Sequence, residues 1–153
     1  MNSLLRISLL AVAVLSAPAI CRAADKESAG VASGFINSYI EFISAGTGGG
    51  YEAAISWMEK RPDVTENFCR RLAKLYRDAL KEDPELGYGA DAVIGGQDFP
   101  SGFRVKSSDT DSDSARVVLE SADQDFPMEI KVDLVRSEDG SWLVDGSGDL
   151  AGD

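Results

Sequence analysis

The sequence predicts an α+β fold in which three N-terminal helices pack on an antiparallel sheet of about four strands. Two observations support this prediction. Apolar residues recur every three or four positions up to about residue 81, and at every second position from residue 103 onward. A turn-rich connection, residues 91–102, separates the two patterns. Helices followed by a meander of strands favour a sheet that helices cover on one face.

Each helix has a start or stop signal in the sequence. We expect the first helix at residues 26–44, ahead of the glycine-rich residues 46–50. A short second helix around residues 51–58 stops before Pro62. The third helix spans residues 66–81, and its cap is either a capping box of Asp63 and Glu66 or Thr65 alone.

Four segments with alternating polarity follow. They are residues 103–105, 116–121, 128–134 and 141–145, and turn residues separate them. This spacing predicts strands joined in chain order by short turns.

The first 23 residues have the pattern of a cleavable signal peptide, with Arg6, an apolar run at residues 7–15 and small residues up to Ala23. The run is too short for a permanent membrane span. We therefore expect a signal peptide at residues 1–23, a single domain at residues 24–153, and a periplasmic or secreted location. Cleavage after Ala19 is an alternative.

The cleavage site decides the state of the two cysteines. Cleavage after Ala23 leaves Cys69 alone, which predicts a buried, unreactive thiol. Cleavage after Ala19 keeps Cys21, which an oxidising compartment would allow to pair with Cys69. Lipidation of Cys21 is disfavoured because the bulky Ile20 precedes it. The intact mass of the exported chain distinguishes these cases.

The charge narrows the class of partner. Loss of Arg6 and Arg22 with the leader takes the formal net charge from −11 to −13. Nucleic acids and anionic lipids need clustered lysine and arginine, so neither is expected as a partner. The charge suits solubility or attraction to a basic protein.

Composition excludes several kinds of catalytic site. The chain has no histidine, which removes Ser-His-Asp and Cys-His nucleophile systems. Residues 46–50 lack the lysine and strand of a phosphate loop. We expect no cofactor.

One acidic segment has the spacing of a calcium loop. Asp109, Asp111, Asp113 and Glu120 occupy loop positions 1, 3, 5 and 12. Ser114 stands where the loop needs glycine, so an acidic hairpin turn is the preferred interpretation.

Two Gln-Asp-Phe-Pro motifs, residues 97–100 and 124–127, each precede a predicted strand, and residues 139–145 read Asp-Gly-Ser-Trp-Leu-Val-Asp. With the three helices, the first motif and the closing segment resemble the exported bacterial family called domain of unknown function 3828. That family is similar to the cone-shaped fold of nuclear transport factor 2 and ketosteroid isomerase. The resemblance implies a curved sheet wrapped around helices. Residues 91–96 lack the aromatic often found there, and the glycine-rich residues 146–148 replace an apolar strand end.

A cone-shaped fold implies a mouth between sheet and helices. Aromatic residues are more often core than pocket lining, so a filled core is the competing interpretation. The candidate pocket residues are Tyr39, Tyr76, Arg77, Gln97, Asp98 and Trp142, with Tyr88, Phe103 and Met128 as further lining.

The leading hypothesis is a non-enzymatic exported binding module, immunity-like or an adaptor, with a basic protein partner. The alternative is a small-molecule-binding protein or an enzyme that uses the pocket, with an acid drawn from Asp98, Asp133 or Asp145. A cavity with one convergent carboxylate favours the alternative. Filling by Trp142, Tyr76 and Phe103 favours surface binding. The sequence does not determine an oligomeric state.

Overall fold

The computed structural model describes residues 17–46 and 50–152, and within them it confirms the predicted order of three helices and four strands. The helices are α1 (Ala17–Ser44), α2 (Gly50–Glu59) and α3 (Glu66–Glu82). The strands are β1 (Phe103–Thr110), β2 (Ser114–Ser121), β3 (Glu129–Arg136) and β4 (Trp142–Ser147). A short 3-10 helix, Gly148–Leu150, follows β4.

The sheet is an open antiparallel meander in the order β1-β2-β3-β4. The alternating pattern of the sequence buries one face of β2 and β3, which we call the inner face, and α1 packs on it. The opposite side is the outer face. The buried apolar residues of β2 and β3 are Ala115, Val117, Leu119, Ile130, Val132 and Leu134. The expected helix-covered sheet is therefore confirmed.

The loop before α3 protects the free edge of β4. Thr65 N donates to Val144 O at 3.0 Å, and Val144 N donates to Asp63 O at 2.8 Å. Thr65 also caps α3, because its hydroxyl accepts from Phe68 N at 3.0 Å. The predicted capping box is wrong, since the Asp63 carboxylate pairs with Arg61 instead.

Helix α1 begins at Ala17, nine residues before the predicted start, so its first turns overlap the predicted leader. Residues 1–16 lie outside the described part of the chain, and both cleavage sites remain predictions. Among the described helices, none combines the length and apolarity that a membrane crossing needs. Asn37 ties α1 to the start of β1: its Nδ2 donates to Phe103 O at 3.0 Å, and its Oδ1 accepts from Phe103 N at 2.8 Å.

Aromatic side chains join the three helices into one layer. The Phe35 ring of α1 lies 6.0 Å from Trp57 of α2 and 6.3 Å from Phe68 of α3. Phe35 and Phe68 are fully buried, and burial of such a side chain stabilises the fold by roughly 2–3 kcal/mol. Apolar contacts among the three helices therefore add to those between α1 and the inner face of the sheet.

The connection between α3 and β1 contains a core element that the sequence analysis treated as a turn. Ala92, Val93 and Ile94 are 0%, 0% and 1% exposed. A tight turn makes this possible: Gly95 N donates to Asp91 O at 2.7 Å, and Asp91 N donates to Gly96 O at 2.9 Å. Residues 91–96, which we call the core loop, insert their apolar side chains into the hydrophobic core.

The C-terminal segment holds the core loop in place. Ser147 Oγ donates to Val93 O at 2.7 Å, and Asp149 N donates to Ala92 O at 3.0 Å. Gly148 makes this contact possible: its φ is +55°, and a Cβ there would lie 2.6 Å from Ala92 O. Only glycine fits both the backbone conformation and the close approach. The glycine-rich end of β4 is therefore a requirement of core-loop docking.

A glycine pair tests this docking. Gly46 also lies in the left-handed region, with φ +63°, but no described atom would lie within 4 Å of its Cβ. We expect Gly46→Ala to cost about 1–2 kcal/mol through backbone strain alone. Gly148→Ala adds a collision with backbone and should cost roughly 3 kcal/mol or more. Urea denaturation of both variants measures the difference, and equal losses would refute close docking of the core loop.

Candidate functional site

A cavity of about 300 Å³ lies among the helices and the core loop, and we call it the aromatic cavity. Aromatic residues form much of its wall, and one acidic residue, Asp91, lines it. No lysine or arginine among the described residues lines it. The lining residues are Tyr39, Phe42, Ile43, Gly50, Tyr51, Ala53, Ala54, Tyr76, Ala90 and Asp91.

Stacking positions the tyrosines of this cavity. The Tyr51 ring from α2 lies on the Tyr76 ring from α3, with centroids 4.1 Å apart and planes inclined by 21°. Tyr88 meets the Tyr76 ring edge-on at 5.9 Å. The Tyr51 hydroxyl accepts from Tyr88 N at 3.1 Å and from Gly89 N at 3.2 Å. The first turn of α2 is thereby fixed to the chain just before the core loop.

The Asp91 carboxylate joins the cavity to the core loop. Its Oδ1 accepts from Val93 N at 2.9 Å and from Ile94 N at 3.1 Å, and its Oδ2 accepts from Tyr39 Oη at 2.6 Å. These donors favour the charged form, yet burial dominates and raises the pKa of Asp91. Burial and the nearby Asp91 charge also raise the pKa of Tyr39, so Tyr39 stays protonated and donates.

A second tyrosine–aspartate pair lies outside the cavity. Tyr88 Oη donates to Asp149 Oδ2 at 2.8 Å, and Asp149 is exposed. Desolvation, followed by the hydrogen bond to Asp149, raises the pKa of Tyr88 to about 12. The two pairs share their chemistry and differ in burial, so the second pair is a natural control for the first.

Two of the six candidate pocket residues, Tyr39 and Tyr76, meet in the aromatic cavity. Trp142 is buried in the core at the start of β4, with the Arg136 guanidinium 4.3 Å from its ring centroid. Gln97 and Asp98 are exposed beyond the core loop, where Gln97 Nε2 donates to Gly89 O at 2.9 Å. These residues do not join the cavity.

Arg77 is exposed on α3 and does not line the aromatic cavity, although it borders a smaller depression of about 200 Å³ with Tyr51 and Tyr76. It borders a depression of about 870 Å³ beside Arg70 and Lys74, with Met58 and Val64 on its apolar side. The helical spacing of these basic residues places them on one side of α3. Their position explains why Arg77 does not meet the Asp91 carboxylate.

The further lining candidates, Tyr88, Phe103 and Met128, also lie partly in the core and partly near the cavity. Phe103 is buried in the core, while Tyr88 packs against Tyr76 at the rim of the cavity. Met128 packs partly buried against the core, and its Cε would lie 3.3 Å from a Cβ at Gly96. Trp142 and Phe103 therefore fill core space, and Tyr76 serves both as core and as cavity wall.

Asp91, Tyr51 and Phe42 line the cavity although the sequence did not single them out as pocket residues. Asp91 lies in the segment predicted as a turn-rich connection, residues 91–102. Phe42 and Tyr51 flank the glycine-rich residues 46–50. One signal was available: an aspartate directly before three apolar residues and two glycines is typical of a side chain that closes its own turn.

The two Gln-Asp-Phe-Pro motifs lie at the same end of the sheet. Asp123 bridges them, since its carboxylate accepts from Ser101 N and from Ser101 Oγ. Phe99 and Phe126 are 36% and 37% exposed, so neither side chain docks fully on the core. The first motif precedes β1, and the second lies in the turn between β2 and β3.

A second depression, of about 330 Å³, lies beside the hairpin between β1 and β2, and we call it the acidic depression. The register places Asp109, Arg116 and Asp133 side by side across β1, β2 and β3. The residues that line it are Asp109, Asp111, Ser114, Ala115, Arg116, Asp133, Leu134, Val135 and Asp145.

The aspartates of this depression differ in their partners. Arg116 Nε donates to Asp133 Oδ1 at 2.7 Å, and Asn67 Nδ2 donates to Asp145 Oδ1 at 3.2 Å. The exposed carboxylates of Asp109 and Asp111 form no hydrogen bond or ion pair with any other residue that the structure describes. Two charges therefore remain for a partner to neutralise.

The calcium-loop residues do not converge. Asp109, Asp111 and Asp113 lie near the tip of the hairpin, whereas Glu120 pairs with Arg104 at its far end. Glu120 lies six positions after Ser114 in β2, which is about 20 Å along the strand. Within residues 17–46 and 50–152, no group of three potential ligands is placed to hold a metal ion.

Cys69 is buried on α3, where burial raises the pKa of its thiol. A raised pKa lowers the thiolate fraction, in agreement with the predicted unreactive thiol. The side chain of Cys21 lies outside the described part, so the alternative disulfide stays a prediction.

Comparisons with known proteins add one structural likeness. No protein-family model matches the sequence, and no curated protein matches it. A chain in the crystal structure of the type VI effector–immunity complex Tae3–Tai3 from Ralstonia pickettii is similar to this chain at 22% identity, with a TM-score of 0.41. The match covers 69% of this chain and 99% of that one.

The two tyrosine–aspartate pairs give a direct test of the cavity geometry. We expect Tyr39→Phe to lower the free energy of unfolding by about 1.5–3 kcal/mol, because it removes a buried donor to a carboxylate. Tyr88→Phe should change it by no more than about 0.5 kcal/mol, as is usual for a surface site. Chemical denaturation near neutral pH measures both. Similar values for the two variants would show that Asp91 does not depend on the Tyr39 hydroxyl.

Proposed function

We propose that the protein is a non-enzymatic exported binding module that accepts a basic segment of a partner protein in the acidic depression, in an immunity-like or adaptor role. The supporting observation is the pair of unneutralised carboxylates, Asp109 and Asp111, at the rim of a depression with four aspartates and one arginine among its described residues. A net charge of −11 over the whole chain adds long-range attraction to a basic partner.

The depression suits a lysine or arginine side chain in both charge and shape. Val135, which is partly exposed, supplies apolar surface that can contact the aliphatic stem of such a residue. Asp109 and Asp111 supply free acceptors for its charged end. Because Arg116 already holds Asp133, the partner would not have to displace an existing ion pair.

The structure offers less support for an enzyme that uses the acids selected from sequence. Asp98 is exposed, Asp133 is held by Arg116, and Asp145 accepts from Thr65 and Asn67. None of the three lines the aromatic cavity. A general base needs a substrate proton within hydrogen-bond reach and a suitable pKa.

The proposal also includes export from the cytoplasm and a relation to a known protein family. The signal-peptide pattern of residues 1–23 supports a periplasmic or secreted location. The proposed relation to the domain of unknown function 3828 proteins, and to the cone-shaped fold, rests on the sequence motifs of residues 97–100 and 139–145.

A pair of charge-matched triple variants tests the binding surface. Asp109→Asn, Asp111→Asn and Asp113→Asn neutralise the hairpin tip, while the control Glu52→Gln, Glu59→Gln and Glu82→Gln removes the same charge from exposed helix positions. Partners captured from the native envelope by the mature protein are identified, and their dissociation constants are measured at two salt concentrations.

We expect a basic partner whose affinity falls by about tenfold or more with the hairpin variant and by less than about threefold with the control. Higher salt should weaken the wild-type complex, because the interacting charges are exposed. Equal losses for both triples would show that net charge alone acts, and capture of only acidic partners would contradict the proposal.

A further inference from the structure

The aromatic cavity has the features of a binding site for a small organic cation. Its partly exposed rings are Phe42 from α1 and Tyr51 from α2, and the buried rings of Tyr39 and Tyr76 complete its wall. The faces of aromatic rings attract cations through their quadrupole, and cages of such rings bind quaternary ammonium groups. An acidic residue, Asp91, whose charge is complementary to that of a cation, lines the same cavity.

No described residue gives Asp91 a positive partner in this cavity. Its oxygens accept from two backbone N–H groups and the Tyr39 hydroxyl, which are all neutral donors. The carboxylate is partly shielded from water, and a charge in that position is costly unless it is paired. A bound cation would supply the missing pairing without displacing any of the three hydrogen bonds, since a carboxylate has further lone pairs.

The size of the cavity limits the ligand. At about 300 Å³, it lies at the lower end of the range for small-molecule sites. The first turn of α2 lines one side, where the positive end of the helix dipole would oppose a cation. Glu52 in that first turn offsets this effect. The observations therefore select a small cation with apolar substituents that contact the rings.

We propose that the aromatic cavity binds a small alkylammonium ion, with its substituents against Tyr51 and Phe42 and its charge beside the Asp91 carboxylate. This site shares no lining residue with the acidic depression, so its test does not depend on the proposed protein partner. It is a binding site, and no chemical step is assigned to it.

Two isosteric probes separate charge recognition from apolar filling. Choline carries a trimethylammonium group, and 3,3-dimethyl-1-butanol is its neutral counterpart of the same shape. Titration of the mature protein with each probe, followed by NMR of the tyrosine rings, reports on the cavity directly. We expect saturable shifts of the Tyr51 and Tyr76 rings with choline, and about tenfold or more weaker binding of the alcohol.

A variant pair assigns the charge to Asp91. Asp91→Asn keeps an oxygen acceptor for Val93 N and Ile94 N and removes the charge, while Asp149→Asn makes the same change in the exposed pair with Tyr88. Choline binding should weaken by about tenfold or more in Asp91→Asn and stay within about twofold in Asp149→Asn.

Three results would overturn the proposal: ring shifts that do not saturate, equal affinities for choline and the alcohol, or unchanged choline affinity in Asp91→Asn. The comparison of the two probes uses the wild-type protein alone, so it remains decisive if Asp91→Asn fails to fold.

Discussion

The carboxylate of Asp91 is the interaction on which the rest of this structure depends. It binds the backbone N–H groups of Val93 and Ile94 and the hydroxyl of Tyr39, and so joins the core loop to α1. The turn it closes sends three apolar side chains into the core. The C-terminal segment then docks on the carbonyls of that loop. One side chain thus links the helix layer, the connection between the two halves of the chain, and the end of the sheet.

This arrangement makes the stability of the fold depend on pH. Burial raises the pKa of Asp91 above its ordinary value of 3.8. Between the two pKa values the unfolded chain has lost its proton and the folded chain has kept it, so the folded state binds more protons. The contribution of Asp91 to stability is therefore full below about pH 4 and declines as the pH rises through the raised pKa. A cation in the aromatic cavity would oppose that decline, because it favours the charged form.

Regular periodicity explains what was predictable from the sequence. The buried side of α3 and the alternation of β2 and β3 follow local patterns, and their elements appear within a few residues of the expected positions. The core loop has no such period, and its burial comes from contacts with Tyr39 and with residues 147–149, far away in the chain. The cavity was missed for the same reason. Of the six pocket candidates, only Tyr39 and Tyr76 lie next to Asp91, and local patterns could not single them out.

The acidic depression and the aromatic cavity have similar volumes and place a similar demand on the charge of a ligand. The acidic depression is open on the outer face and offers exposed carboxylates, so its attraction extends outward and is screened by salt. The aromatic cavity offers one carboxylate among rings, where charge is screened less and shape matters more. Both surfaces select cations, one from a protein surface and one from small molecules, in keeping with the net negative charge of the chain.

The central claim is that Asp91 is a partly buried carboxylate without a cationic partner among the described residues. A pH titration of its side-chain carboxyl ¹³C resonance by NMR measures this directly. The structure predicts a midpoint for Asp91 above 3.8. A midpoint at or below 3.8 would show a solvated or ion-paired carboxylate and would contradict this claim.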